Sequence, residues 1–161
     1  MKVKAQAAME FLMTYGWAIL VVLVAIGALA YFGVLSPDNF LPERCTGPAG
    51  LDCIDNAAID ATNDNVTFIL KNNLGFGIDT LSVQSASDQC TLQSSFIMVE
   101  NSTGAFNASN KAANNRKIRF AVECSNDFDT GRFKSDIRVG YRNSESSLSH
   151  QASVSITGKA T

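Results

Sequence analysis

Hydrophobic positions along this chain follow two rules. Across residues 11–35 they are nearly continuous; after Pro37 they alternate with polar residues in short runs. The continuous run reads FLMTYGWAILVVLVAIGALAYFGVL, and no charged side chain occurs anywhere from Leu12 to Pro37. As a helix rising 1.5 Å per residue it would be about 37 Å long, enough to cross a bilayer core of about 30 Å with some tilt. No proline interrupts it before Pro37, so one continuous helix is expected. Gly16, Gly27 and Gly33 would let another helix approach closely in lipid or in a bundle. Tyr15 and Trp17 near one end, and Tyr31 and Phe32 near the other, fit an interfacial aromatic belt.

Beyond Pro37 the period becomes two, the signature of half-buried strands. Val66, Phe68 and Leu70 form one such row, and Ile118, Phe120 and Val122 another. Ile137, Val139 and Tyr141 make a third, and Ala152, Val154 and Ile156 a fourth. Weaker strands are read at residues 78–84 and 96–100, with NNLGFG, residues 72–77, as a turn. Six short strands with one apolar face each predict a small antiparallel β-sandwich. The fold class is therefore α+β: a long N-terminal hydrophobic helix followed by a β-sandwich-like antiparallel head, a lollipop architecture. A head of about 125 residues is large enough to bury a core.

Charge adds direction. Lys2 and Lys4 precede the apolar run and the first charge after it is Asp38, so the positive-inside rule places the N-terminus in the cytoplasm and the head outside. Overall charge is −2 and the pI about 5.3, which argues against bulk nucleic-acid binding. Within the head the charge is uneven: residues 38–100 carry nine acids and two bases, residues 101–161 nine bases and five acids. Arg116, Lys117, Arg119, Arg132, Lys134, Arg138 and Arg142 are the densest stretch of bases. They read as a solvated strand face, or as a basic half that meets the acidic half of a neighbouring head or an anionic surface. The apolar run itself admits three fates: a permanent anchor, a secretory signal cut after the ALA at residues 28–30, or a segment with a further role for the acid at its start. Glu10 is that acid. A carboxylate near a helix N-terminus is favoured by the helix dipole, although it costs insertion energy in a membrane.

The stretch KAQAAMEF, residues 4–11, followed by the apolar run, resembles the class III signal peptide of archaeal type IV pilins. That signal has a basic leader, a glutamine, a small residue two positions on, and a Glu-Phe pair before the helix. Here these are Lys4, Ala5, Gln6, Ala8, Glu10 and Phe11; Ala5 stands where the family usually has glycine and Ala8 where it often has serine. The resemblance covers residues 2–35 and implies cleavage between Ala5 and Gln6 by a prepilin peptidase. It implies three segments: a leader at 1–5, a transmembrane and filament-core helix at 6–36, and an extracellular head at 37–161. It also implies a precursor in the cytoplasmic membrane and a mature cell-surface filament. The implied partners are further copies of the chain, the peptidase, and the assembly ATPase with its membrane platform. In this family Glu10, the fifth residue after the cut, would pair with the new amine of Gln6 on a neighbouring subunit, and Phe11 would complete the assembly signal. Cyclisation of Gln6 would remove that amine. Alternatives within and outside the class are a minor pilin or pseudopilin, and an unprocessed anchored β-domain that binds a surface ligand. The glycine-centred archaellin signal is less similar.

Four cysteines, Cys45, Cys53, Cys90 and Cys124, all follow the apolar run, as two disulfides in an exported region would. The preferred pairing is Cys45 with Cys53 and Cys90 with Cys124, with two other connectivities open. Asn65, Asn101 and Asn107 head N-glycosylation sequons; the last two lie in ENSTGAFNASNKAANN, read as an exposed polar loop. Catalytic chemistry is not indicated. His150 is the single histidine and reads as a surface loop residue. Asp52, Asp55, Asp60 and Asp64 lack the ligand spacing of a calcium loop. Neither a metal nor a cofactor is expected, and no enzyme.

Overall fold

The computed structural model describes residues 2–31 and 42–161. The chain divides into two compact units, residues 1–41 and residues 42–161. The first is helix α1, Lys2–Tyr31. Its unbroken run of Ala, Leu, Val and Ile satisfies every interior backbone group within the helix. The expected helix end near Leu35, the break at Pro37 and the boundary between helix and head lie outside the described residues. So does Met1 of the expected leader.

The second unit is all β. In order it contains β1 (Arg44–Thr46), β2 (Leu51–Cys53), β3 (Ala58–Asp60), β4 (Asn65–Asn72) and β5 (Ile78–Ala86). Then come β6 (Leu92–Glu100), β7 (Phe106–Ala108), β8 (Lys117–Cys124), β9 (Gly131–Asn143) and β10 (Ser149–Ala160). They form two antiparallel sheets. One is four-stranded in the order β1-β10-β9-β5; the other is six-stranded in the order β2-β4-β8-β6-β7, with β3 also on β4. The expected α+β class and β-sandwich are thus observed.

The alternating rows carry the core. In β4 and β8 every second residue is buried, and the register sets Val66 opposite Val122, Phe68 opposite Phe120 and Leu70 opposite Ile118. The Phe68 and Phe120 rings stack with centroids 5.1 Å apart, an arrangement worth about 0.5–1.5 kcal/mol beyond the area it buries. Ile137, Val139, Ala152, Val154 and Ile156 supply the facing layer and are likewise buried. All the strand pairings, the core and both disulfides fall within residues 42–161, so this unit is self-contained.

Several local expectations change. NNLGFG is a turn, but the strands it joins, β4 and β5, belong to different sheets. Asn72 anchors it: its fully buried side chain donates to the Phe76, Ala112 and Ala113 carbonyls and accepts from the Leu74 N–H. The 101–116 loop is less open than its polarity suggests. It contains β7, and Ala112 is buried and exchanges backbone hydrogen bonds with Ile78 of β5. His150 lies in a strand, β10, with its ring stacked on Tyr141 at 5.4 Å. In β6 the run FIMV is apolar in both parities, and Phe96 is left 61% exposed while Val99 faces the core.

Candidate functional site

Among the described residues the depressions are shallow, and the distinctive chemistry lies on surfaces. The first is helix α1. Between Ala8 and Tyr31 it is long and apolar enough to cross a membrane, and its side chains there are exposed among the described residues. Phe11, Trp17, Ile19, Leu20, Val21 and Leu23 are all exposed, and at about 100° per residue they are spread around the whole axis, as expected of a helix meant for lipid or for other helices. A Cβ added at Gly16 or Gly27 would meet no atom, leaving two notches for close approach.

Glu10 is exposed on this helix. Its backbone carbonyl accepts the Thr14 hydroxyl at 2.8 Å, a back-bond that hides one polar group from an apolar surround. Among the described side chains none bonds the Glu10 carboxylate. Phe11 packs its ring on Tyr15 at 4.7 Å. The sequence signal at Ala5 and Gln6 lies within the helical backbone of α1.

The disulfides join Cys45 to Cys53 and Cys90 to Cys124. The first ties β1 of one sheet to β2 of the other; the second fixes the segment before β6 to the end of β8. Each therefore braces a place where the chain changes sheets or starts a strand.

The three sequon asparagines occupy different settings. Asn65 opens β4 between β3 and β8, and its Oδ1 is buried without a hydrogen-bond partner among the described residues. Asn107 is exposed in β7. Asn101 starts the β6–β7 turn, where its Oδ1 accepts from the Thr103 N–H at 2.9 Å, the Thr103 hydroxyl at 2.7 Å and the Ala105 N–H at 3.0 Å. That leaves the Asn101 Nδ2 outside these bonds, with the sequon hydroxyl already on the amide oxygen.

Asp52, Asp55, Asp60 and Asp64 are dispersed. Asp52 accepts from Asn73 at 2.6 Å, Asp64 accepts the Phe128 N–H at 3.1 Å, and Asp60 holds Thr62 and Asn63. The Asn63 amide, then the Thr62 N–H, hold the Asp60 carboxyl below its ordinary range. Among the described residues no three of His, Cys, Asp or Glu gather to hold a metal ion.

The dense bases do not form one patch. Lys117 pairs with Glu100 at 3.1 Å, Arg116 donates to the Asn101 carbonyl, and Arg119 lies 4.2 Å over the Phe106 ring. These belong to the six-stranded sheet. Arg132, Lys134, Arg138 and Arg142 lie on β9 of the other sheet, on the polar side of its alternation, so Arg119 and Arg138 face away from each other. Arg142 is neutralised by Asp79 through bonds of 2.8 and 3.2 Å. Sequence density alone could not show this division, because β8 and β9 are adjacent in the chain but sit in opposite sheets.

Shallow depressions also mark the described surface. One of about 430 Å³ crosses the six-stranded sheet over Ala58, Thr67, Ile69, Met98, Arg119 and Ala121. Another of about 250 Å³ lies beside Ser82, Gln84, Gly140, Tyr141 and His150. Burial raises the Tyr141 hydroxyl above its usual range, which makes it a poorer acid. No family model matches the chain, and no curated protein matches it.

Proposed function

We propose that this chain is a type IV pilin-like structural subunit, made as a membrane-anchored precursor, cut between Ala5 and Gln6, and polymerised through α1 into an adhesive surface filament. The observation that carries the reading is the conjunction of the KAQAAMEF signal with a helix that is apolar on all sides and exposed among the described residues. Such a surface demands a partner, and lipid followed by sister helices supplies one in sequence. Cutting before Gln6 would remove Lys2 and Lys4, cations at the end of α1 where the helix dipole disfavours them. It would also create an amine able to offset Glu10 once both are desolvated. The role is mechanical and architectural, with the peptidase, assembly ATPase and membrane platform as transient partners.

The helical backbone running through Ala5 and Gln6 favours a second reading, an uncut anchor that presents the β head outside the cell. Intact mass and N-terminal sequencing of the protein from its native cells decide between them. A chain starting at Gln6 supports the pilin; a chain starting at Met1 supports the anchor and removes the pilin. In the pilin, Glu10→Ala leaves cleavage intact and lowers filament yield at least tenfold. The same mass spectrum tests glycosylation, for which the turn geometry favours Asn101: a glycan increment that vanishes in Asn101→Gln is expected.

A further inference from the structure

We infer that the outer face of the four-stranded sheet is a docking surface for the acidic edge of a second copy of this chain. This inference rests on the filament reading above and adds which head surfaces meet.

The face is built by the register. Arg44 of β1, Arg132, Lys134 and Arg138 of β9, and Lys159 of β10 all fall on the solvent side of the sheet. Thr157 stands between Arg44 and Lys134 in one row, and Arg132 is directly opposite Lys159 in the next. Neighbouring strands are about 4.8 Å apart and alternate residues about 6.6 Å apart, so Lys134 and Lys159 are diagonal neighbours and Arg138 follows two rows further along the same face. Asp136, between Lys134 and Arg138 on β9, is bonded to the Ser155 hydroxyl. Between the cations lie Ser153, Ser155 and Thr157, whose short side chains leave the face level.

A complementary surface exists on the same chain. β2 and β3 form the outer edge of the six-stranded sheet beyond β4. Along it, Asp52 and Asp55 are exposed on either side of the 41% exposed Ile54, and Asp60 closes the row. Lys71 lies across from Asp52 in the register, and Arg119 lines the same depression as Asp55. Because the cationic face and the acidic edge are different surfaces, their contact is heterologous and propagates from copy to copy instead of closing a two-fold pair. An apolar point at Ile54 ringed by acids, set on a flat field of cations, gives attraction, orientation and a defined seat.

The test uses residues 42–161, which contain no part of α1, so its outcome is separate from that of the pilin reading. At about 20 mM salt, where screening is weak, heads at about 1 mM sediment as concentration-dependent oligomers. A zero-length carbodiimide then joins Lys134 or Lys159 of an isotope-labelled copy to Asp52 or Asp55 of an unlabelled one. Lys134→Glu/Arg138→Glu and Asp52→Lys/Asp55→Lys each weaken association at least tenfold. Mixing the two variants, or placing all four substitutions in one chain, restores it. Unchanged circular dichroism and melting confirm that the variants are folded. Heads that stay monomeric under these conditions, single-surface variants that associate like the parent, or a mixture that fails to recover each overturn the inference.

Discussion

At the scale of single residues, Asn72 and Asp79 hold the head in different ways. Asn72 is buried and satisfies three carbonyls and an N–H at the point where the chain leaves the six-stranded sheet. Alanine there leaves acceptors buried and unpaired, each costing about 1–3 kcal/mol. Asn72→Ala is therefore expected to cost residues 42–161 about 3 kcal/mol, read as a lower urea midpoint at constant slope. Asp79 acts through charge. Bonds from the Arg142 guanidinium hold its carboxyl below the ordinary range, and the same contact raises the arginine. A depressed carboxylate adds stability above its unfolded pKa, near 3.9, and that contribution is lost as pH falls through the folded value. Stability should thus decline below about pH 4, and Asp79→Asn should flatten part of that decline in urea titrations run across the range. An unchanged slope in the variant would show that the pair does not govern it. Legibility differed between the two residues. Asn72 was visible in the sequence only as part of a turn motif. The pairing of Asp79 with Arg142 was invisible, since it joins residues 63 positions apart across neighbouring strands.

At the scale of elements, the alternating runs were legible because each had room to show a period. β4, β8, β9 and β10 sit where the rows of Val, Ile, Phe and Ala indicated, and β5 and β6 extend the weaker readings. β1, β2, β3 and β7 have three residues each, too few to carry a period, and they form because a neighbouring edge offers them hydrogen bonds. Sheet membership was not legible either. β4 to β5, β5 to β6 and β8 to β9 all change sheets, and nothing local to a turn records which sheet follows. The disulfides act at this scale as well. Cys45 and Cys53 are 8 residues apart and Cys90 and Cys124 are 34 apart, so loop entropy assigns about 2.5 and about 3.8 kcal/mol respectively. Replacing Cys90 and Cys124 by serine should therefore lower the melting temperature of the head more than replacing Cys45 and Cys53. The reverse order would mean that joining the two sheets through Cys45 matters more than the length of loop closed.

At the scale of the whole molecule, two surfaces stand out: the apolar circumference of α1, exposed among the described residues, and the cation-rich outer face of the four-stranded sheet. The proposed processing test bears on the first surface and the charge-exchange test on the second, and either can fail alone. The sequence exposed the first surface in full, because an uninterrupted apolar run is a one-dimensional signal. It blurred the second by presenting seven bases as one dense stretch, which folding then divides between opposite faces.

The Cys45–Cys53 bond has a mechanical meaning. If a subunit were tugged by its N-terminal segment, tension would reach the head first at β1, a strand held to β10 over only three residues. Such a strand peels easily. The peel would stop at its middle residue, because Cys45 is covalently fastened to Cys53 and passes the load to β2 and from there to β4. The seven residues between the two cysteines would carry no tension. The bond thus works as a stop that keeps a pulled head from unravelling from its first strand.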